Sequence, residues 1–152
     1  MLNTTLTYIE KDGAYLMLHR IKKKNDVNKD KWIGVGGKLE EGESPHECAK
    51  REILEECGIE VTDLKYRGFI TFVSNEYGTE YMHLFTASEY KGEINYECNE
   101  GKLEWVEKNK IKSLPIWEGD KIFLELLDSE NRFFSLKLRY NGEKLVEHTV
   151  DI

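Results

Sequence analysis

The chain lacks most of the features that mark secreted, membrane-bound and zinc-binding proteins. Its three cysteines (Cys48, Cys57 and Cys98) are an odd number without the paired spacing of zinc ligands, so we expect reduced thiols in a cytoplasmic protein. It has no long apolar run and begins with an alternating, strand-like segment, so we expect neither a signal peptide nor a membrane span. Internal repeats and low-complexity segments are also lacking, and the length predicts a single domain over residues 1–152.

An excess of basic residues is lacking too. The 22 Lys and Arg residues are outnumbered by 29 Asp and Glu residues, which gives a formal net charge of −7. Binding of a nucleic-acid polymer depends on neutralising many phosphates with Lys and Arg, so we expect no such partner. A small phosphorylated substrate is compatible with this charge, because bound metal ions can supply the positive charge that the chain does not.

One helix is predicted with clear signals at both ends, from Pro45 to Cys57. Ser44 suits the N-cap, Pro45 suits the first helical position, and Glu47 completes a Ser-x-x-Glu capping box. Gly58 suits the left-handed residue that ends a helix. The helix should pack on a sheet through an apolar stripe of residues four apart, namely Ala49, Ile53 and Cys57.

Three glutamates on this helix, Glu52, Glu55 and Glu56, have the spacing i, i+3, i+4 and therefore share one face. Their mutual repulsion, about 0.2–0.5 kcal/mol for an exposed i, i+4 pair, would be relieved by a bound divalent cation. Hard oxygen ligands suit Mg²⁺, with Mn²⁺ as an alternative. In so acidic a chain, three such glutamates alone are more often a solvated surface.

The residues around the glutamates favour the metal site over the solvated surface. Arg51 is expected to point away from the carboxylate face and to hold Glu43 in a bidentate pair. Gly36 and Gly37 allow the backbone to approach a metal or a phosphate closely.

Residues 37–59 read G-x5-E-x7-R-E-apolar-x-E-E-x-G-apolar, which contains every position of the Nudix box, including Gly37, Glu43, Arg51 and Gly58. The chain therefore resembles a Nudix hydrolase, a family that uses divalent metal to cleave nucleoside diphosphates linked to another group. The resemblance implies an α/β Nudix fold, in which a mixed β-sheet is sandwiched between helices. It also implies that metal ligation and catalysis depend on a set of box and loop residues: Glu52, Glu55, Glu56, the Gly36 carbonyl and Glu100.

Four further segments, 31–38, 68–72, 99–106 and 115–120, resemble the MutT-like sanitisers of oxidised purine nucleotides. This likeness implies that a nucleoside triphosphate, 8-oxo-dGTP, is hydrolysed to the monophosphate and pyrophosphate. Arg20 and Lys38 are the candidate phosphate contacts. Trp117 is the candidate for stacking on the base, and Asp120 is the candidate for reading its edge.

Two positions depart from the human sanitiser. Ile33 stands where that enzyme has an asparagine that contacts the base, and Gly119 stands where it has a second aspartate. Purine recognition must therefore depend on other groups. Tyr8, Phe72 and His83 are further candidates for lining the pocket, although each is also an ordinary strand residue.

The remaining periodicity predicts strands around two helices. Strands are expected over residues 4–9, 14–20, 32–37, 65–73, 81–89, 103–106, 133–140 and 144–150, with a second helix over residues 119–127. Asn141-Gly142 predicts a tight turn between the last two strands.

Two other functions stay open at this stage. One is a Nudix hydrolase for unmodified nucleoside triphosphates, ADP-ribose, dinucleoside polyphosphates or a pterin triphosphate. The other is a non-catalytic ligand sensor, against which the intact glutamates argue. The sequence is compatible with a monomer or a homodimer.

Overall fold

The structure, a computed structural model, describes residues 2–152. Within these residues the chain forms eleven strands, two α-helices and one 3₁₀ helix. The strands are β1 (Leu2–Lys11), β2 (Ala14–Arg20), β3 (Trp32–Ile33), β4 (Val35–Lys38), β5 (Glu60–Val61), β6 (Lys65–Ser74), β7 (Gly78–Ala87), β8 (Tyr90–Lys91), β9 (Gly101–Glu107), β10 (Phe134–Asn141) and β11 (Lys144–Asp151). The helices are α1 (Pro45–Cys57), α2 (Glu118–Ser129) and the 3₁₀ helix Lys108–Ser113.

Nine of the strands form one mixed sheet. Seven follow the order β11-β10-β6-β7-β1-β2-β3, while β4 pairs with β1 and β9 pairs with β2. The β1–β7 and β6–β10 pairs are parallel, and the other pairs in the sheet are antiparallel. Strands β5 and β8 form a separate two-stranded sheet. The turn between β10 and β11 lies one residue later than predicted, because Asn141 is the last residue of β10 and the turn is formed by Gly142, at φ 62°, and Glu143.

Strand β1 uses one edge for two partners, and this fork positions the glycine-rich segment. Its first half pairs with β4, where Leu6 lies opposite Gly36, and its second half pairs with β2, where Ile9 lies opposite Leu16. The prediction of one strand over residues 32–37 is therefore wrong. The segment breaks at Gly34, because β3 pairs with β2 whereas β4 crosses over to β1.

The two helices cover opposite faces of the sheet, which confirms the predicted sandwich. Ile53 and Cys57 of α1 pack in one core cluster with β2 and β4, and Ala49, the third residue of the predicted stripe, is also buried. Phe123 and Leu127 of α2 pack in the other cluster, on the inner side of β6 and β10. Each face therefore has its own core.

Three short elements were not predicted: β5, β8 and the 3₁₀ helix. A strand of two residues shows no alternation, so periodicity cannot find it. None of the helices in residues 2–152 is long and apolar enough to cross a membrane.

Candidate active site

The start of α1 is fixed by the predicted capping box. The Ser44 hydroxyl accepts a hydrogen bond from the Glu47 N–H at 3.1 Å, and the Glu47 carboxylate accepts one from the Ser44 N–H at 2.9 Å. The helix ends at Gly58, whose φ of 75° is the left-handed conformation that glycine adopts without steric cost. These two caps fix where α1 begins and ends, and therefore which of its side chains face the preceding loop.

Arg51 connects α1 to that loop. Its Nε and Nη2 donate to both carboxylate oxygens of Glu43, at 2.7 and 2.9 Å, and Nη2 also donates to the Lys38 carbonyl at 3.0 Å. The guanidinium holds the pKa of Glu43 at about 2, chiefly through these hydrogen bonds. The expected bidentate pair is therefore present.

The expected direction of Arg51 is wrong. Its Nη1 donates to Glu52 at 2.8 Å and to Glu55 at 3.3 Å, so the guanidinium lies against two of the three candidate metal ligands. The long side chain carries five donors in a planar fork and reaches back over its own helix, which the spacing of Cα positions does not reveal. Arg51 therefore joins the carboxylate face instead of leaving it.

Gly37 lies directly against the Glu52 carboxylate. A Cβ built at this glycine would stand 2.5 Å from the Glu52 carboxyl carbon, so a side chain here would displace the carboxylate. A Cβ at Gly36 would collide with the Thr5 backbone oxygen, because β4 lies tightly along β1 at that point. Glycine at position 37 therefore lets the backbone approach Glu52 closely, whereas glycine at position 36 lets β4 lie close to β1.

Glu56 is the buried member of the glutamate set. Its side chain is 9% exposed, and its Oε2 atom has no hydrogen-bond partner within residues 2–152. Burial and the adjacent Glu100 carboxylate both raise the pKa of Glu56. A bound cation would stabilise the charged form of this buried group and occupy its free oxygen, and the donors are the oxygens that hard divalent ions prefer.

The side chains of the three helix glutamates do not converge on one point in this structure. Within residues 2–152, no group of three or more acidic, thiol or imidazole side chains is arranged to hold a metal ion. Arg51 contacts Glu52 and Glu55, whereas Glu56 faces Glu100. The oxygen donors fit a divalent cation in chemistry, although only Glu56 is buried, while Glu52 is partly buried and Glu55 is exposed. Such a cation would compete with the Arg51 contacts.

Arg20 is mostly buried and forms two ion pairs. Its Nη1 donates to Glu100 at 2.8 Å and its Nε donates to Asp26 at 2.7 Å, and only 14% of its side chain is exposed. Lys38 has an exposed side chain. Both residues line the same cleft as Glu52 and Glu100.

This cleft, with a volume of about 790 Å³, contains most of the predicted site residues. One end has charged and glycine residues, namely Arg20, Gly36, Gly37, Lys38, Arg51, Glu52 and Glu100. The other end, around the contacting rings of Trp117 and Phe72, has aromatic, apolar and acidic residues, namely Phe72, Glu80, Met82, Trp117 and Asp120. A ligand with one anionic end and one flat, partly polar end therefore fits its shape and chemistry.

Trp117 forms one wall of the aromatic end. Its ring packs edge-on against Phe72 and Tyr140, with centroid distances of 6.1 and 5.4 Å, and the Lys31 ammonium lies 4.6 Å from its centroid. The indole Nε1 donates to Asn28 Oδ1 at 2.7 Å. The ring is therefore held in one orientation at the cleft.

Asp120 lies beside it, at the start of α2, and is 6% exposed. Burial and the nearby Glu80 carboxylate, opposed by the Lys31 ammonium, raise the pKa of Asp120 to about 8 from 3.8. Its carboxyl group therefore carries a proton at neutral pH and can donate as well as accept a hydrogen bond.

Replacing Asp120 by asparagine should stabilise the protein at alkaline pH. The folded pKa lies above the unfolded one, so the wild-type unfolding free energy falls as pH rises from about 4 to about 8. Asparagine has no proton to lose, so the variant should gain on the wild type across that window by a few kcal/mol, at about 1.4 kcal/mol per pKa unit. Urea titrations at several pH values measure this difference. The control is Asp128→Asn, which changes an exposed carboxylate on the same helix. If the unfolding free energies of Asp120→Asn and the wild type differed by the same amount at every pH, the Asp120 carboxyl would not be protonated in the folded protein.

The two departures from the human pattern have different structural settings. Ile33 lines the cleft and also packs against the core cluster beneath α1. Gly119 has no room for a side chain, because a Cβ there would stand 2.5 Å from Leu138 Cδ1 and 2.7 Å from the Tyr140 hydroxyl, to which its N–H donates at 2.7 Å. This chain therefore presents a single carboxyl group at the start of α2.

Of the three additional pocket candidates, only Phe72 lines the cleft. Tyr8 is fully buried in the core beneath α2, and His83 lies on the opposite face of β7, hydrogen-bonded to Tyr66. Asp26, Asn28 and Lys31 were missed, because a polar, lysine-rich loop gives no periodic signal.

Known proteins share this fold and much of this sequence. The family model for the NUDIX domain matches residues 4–127. The zebrafish (Danio rerio) protein named oxidized purine nucleoside triphosphate hydrolase is 33% identical over 148 residues, covering 97% of this chain and 92% of the relative. The mouse (Mus musculus) protein of that name is 34% identical over 115 residues, covering 73% and 71%. The crystal structure of the mutator MutT protein from Bacillus halodurans matches with a TM-score of 0.87 at 28% identity, covering 99% and 98%.

Proposed function

Because this chain belongs to the Nudix hydrolase family, we propose that it hydrolyses a nucleoside triphosphate to the monophosphate and pyrophosphate, with 8-oxo-dGTP as the preferred substrate. The observation that carries the proposal is the two-ended cleft, with carboxylates and cations at one end and Trp117 and Asp120 at the other. The names of the zebrafish and mouse relatives support the same substrate class.

The glutamates of α1 are the proposed metal ligands. Glu52, Glu55 and Glu56, joined by Glu100 and the Gly36 carbonyl, would hold Mg²⁺ or Mn²⁺, as the buried and unpaired Oε2 of Glu56 suggests. Such an ion supplies positive charge to the phosphoryl oxygens and lowers the pKa of a bound water.

The remaining box residues are proposed to position this centre. Arg51 ties the 38–43 loop to α1 through Glu43 and the Lys38 carbonyl, so the ligands and the glycine backbone keep a fixed separation. Lys38, on the cleft wall, would bind the phosphate chain as a point charge. Arg20 would stabilise the acidic end, because its guanidinium lies against Glu100.

The aromatic end is proposed to bind the base. Trp117 is buried and has the Lys31 ammonium over its ring, but it also lines the cleft, and we propose that the base stacks on its cleft side. The protonated Asp120 carboxyl can donate to an acceptor on the base edge. Oxidation of guanine changes the donors and acceptors of that edge. One carboxyl is available because Gly119 has no space for a second one, so we expect weaker selectivity than in a pocket with two.

A nucleotide panel tests this proposal. The wild-type protein should release pyrophosphate from triphosphates, with a higher kcat/KM for 8-oxo-dGTP than for dGTP. Trp117→Ala should raise KM for purine triphosphates by roughly tenfold or more and change kcat little, because stacking binds ground state and transition state alike. Asp120→Asn should bring the two kcat/KM values closer together.

Equal kcat/KM values for 8-oxo-dGTP and dGTP in the wild type, or a clear preference for ADP-ribose, would contradict the substrate assignment. Pyrophosphate release from a different triphosphate would still support the cleavage chemistry. Ile33 and Gly119, which remove two polar contacts, are the observations that favour a broader triphosphate range as the second candidate.

A further inference from the structure

The loop between β2 and β3, residues 21–31, runs along the cleft between its acidic and aromatic ends. Its backbone is held at both ends, because the Arg20 N–H donates to the Lys31 carbonyl at 3.0 Å and the Asp30 N–H donates to the Arg20 carbonyl at 2.7 Å. The Lys29 N–H donates to the Asp26 carbonyl at 3.0 Å. The loop is therefore a folded turn with its own hydrogen bonds.

Asp26 lies at the centre of this loop, and each of its two carboxylate oxygens accepts a hydrogen bond from a different residue. Oδ2 accepts from Arg20 Nε at 2.7 Å, and Arg20 in turn donates to Glu100 at 2.8 Å. Oδ1 accepts from the Asn28 N–H at 3.0 Å. The Asp26 side chain is 5% exposed, so both interactions are shielded from water.

Asn28 carries the connection to the aromatic end. With its N–H bound to Asp26, its side-chain oxygen accepts the indole N–H of Trp117 at 2.7 Å. An unbroken series of hydrogen bonds thus joins Glu100, Arg20, Asp26, Asn28 and Trp117.

We propose that Asp26 is a positioning residue for both ends of the cleft, orienting Trp117 through Asn28 and holding Arg20 against Glu100. The inference deepens the proposed function and rests on it for the placement of the base against Trp117. The distance between the stacking ring and the acidic centre is then set by this one loop.

Three variants separate the two halves of this series, the Arg20 half from Asp26 to Glu100 and the Trp117 half from Asp26 to the indole. Asp26→Asn keeps an acceptor for the Asn28 N–H and puts an N–H₂ group against the Arg20 guanidinium, so it removes the Arg20 half. Asn28→Ala removes the Trp117 half, and Asp26→Ala removes both. Asp30→Asn is the control, because it makes the same charge change in the same loop and its side chain forms no hydrogen bond or ion pair within residues 2–152.

The orientation of Trp117 can be measured without any substrate. The chain has three tryptophans, so the ¹H–¹⁵N spectrum contains three indole signals, and Trp117→Phe assigns one of them. We expect this indole N–H to be protected from deuterium exchange in the wild type, Asp26→Asn and Asp30→Asn. Protection should be lost in Asn28→Ala and Asp26→Ala.

The second measurement is KM and kcat for each variant, with the triphosphate that the wild type hydrolyses fastest. Asn28→Ala should raise KM about tenfold at constant kcat, because it loosens only the stacking ring. Asp26→Asn should lower kcat about tenfold with little change in KM, and Asp26→Ala should do both.

Intact indole protection in Asp26→Ala, or kinetics of Asp26→Ala equal to those of Asp30→Asn, would overturn the inference. A general loss of folding would lower the apparent kcat of all three variants at unchanged KM and would also remove the indole protection in Asp26→Asn, and this result would overturn the inference as well. A lack of preference for 8-oxo-dGTP would contradict the proposed function alone, since the indole measurement needs no substrate.

Discussion

Glu56→Gln should lower turnover by about 10²–10³-fold or more while the fold persists, which is the size of loss seen when one electrostatic contact to a reacting centre is removed. Glutamine keeps the shape of the side chain, but it cannot lose a proton to become a charged ligand for the cation. Because Glu56 is buried with an unpaired oxygen, the neutral amide should not lower the melting temperature. The measurements are kcat at saturating Mg²⁺ and the thermal unfolding midpoint.

The matched control is Glu60→Gln, an exposed glutamate shortly after the same helix, which should retain wild-type activity. Glu55→Gln should also reduce turnover strongly. Full activity in excess chelator, or in the Glu56→Gln protein, would contradict the proposed metal site. A collapse of the thermal midpoint would show that Glu56 holds the fold and would leave its catalytic role without support.

Arg51→Ala should reduce activity on the order of a hundredfold, the effect expected when a catalytic centre is displaced by about 1 Å. The reason is that one guanidinium holds Glu43, the Lys38 carbonyl and Glu52 together. Glu43, with a pKa of about 2, would lose its partner, so the melting temperature should fall as well. Kinetics and thermal unfolding of the same preparations measure both effects.

Arg51→Lys tests whether the planar fork matters, since lysine keeps the charge but cannot bind both Glu43 oxygens in parallel. It should resemble the alanine variant in activity more than the wild type. Lys50→Ala, an exposed cation on the same helix, should change neither quantity. Wild-type kinetics and an unchanged midpoint for Arg51→Ala would show that its contacts are those of an ordinary surface residue.

Local signals were sufficient for α1 and its caps. The observed bounds, Pro45–Cys57, match the prediction, because the capping box and the left-handed Gly58 depend on residues that are adjacent in sequence. The Asn141-Gly142 pair likewise located the last turn to within one residue. The Glu43–Arg51 pair was also predicted, because Glu43 lies just before the start of α1 and the long Arg51 side chain can reach it from the second turn.

Predictions failed where the partners of a strand or a side chain could not be inferred from the spacing of residues along the chain. Segment 32–37 was predicted as one strand, yet β1 accepts β4 on half of its edge and β2 on the other half, which forces the break at Gly34. Arg51 was predicted to leave the carboxylate face, yet its length lets it bridge that face to the preceding loop.

The sequence by itself determined the family pattern, the helix that carries the glutamates, and the expectation of a divalent metal, because these depend on short-range spacing and on side-chain chemistry. Only the tertiary structure decided the environment of each group. It buried Glu56 against Glu100, raised the pKa of Asp120 to about 8, and joined Arg20 to Trp117 through Asp26 and Asn28. Burial and long-range hydrogen bonds arise when segments up to about 90 residues apart meet, as Asn28 and Trp117 do with a separation of 89, and no local pattern records them.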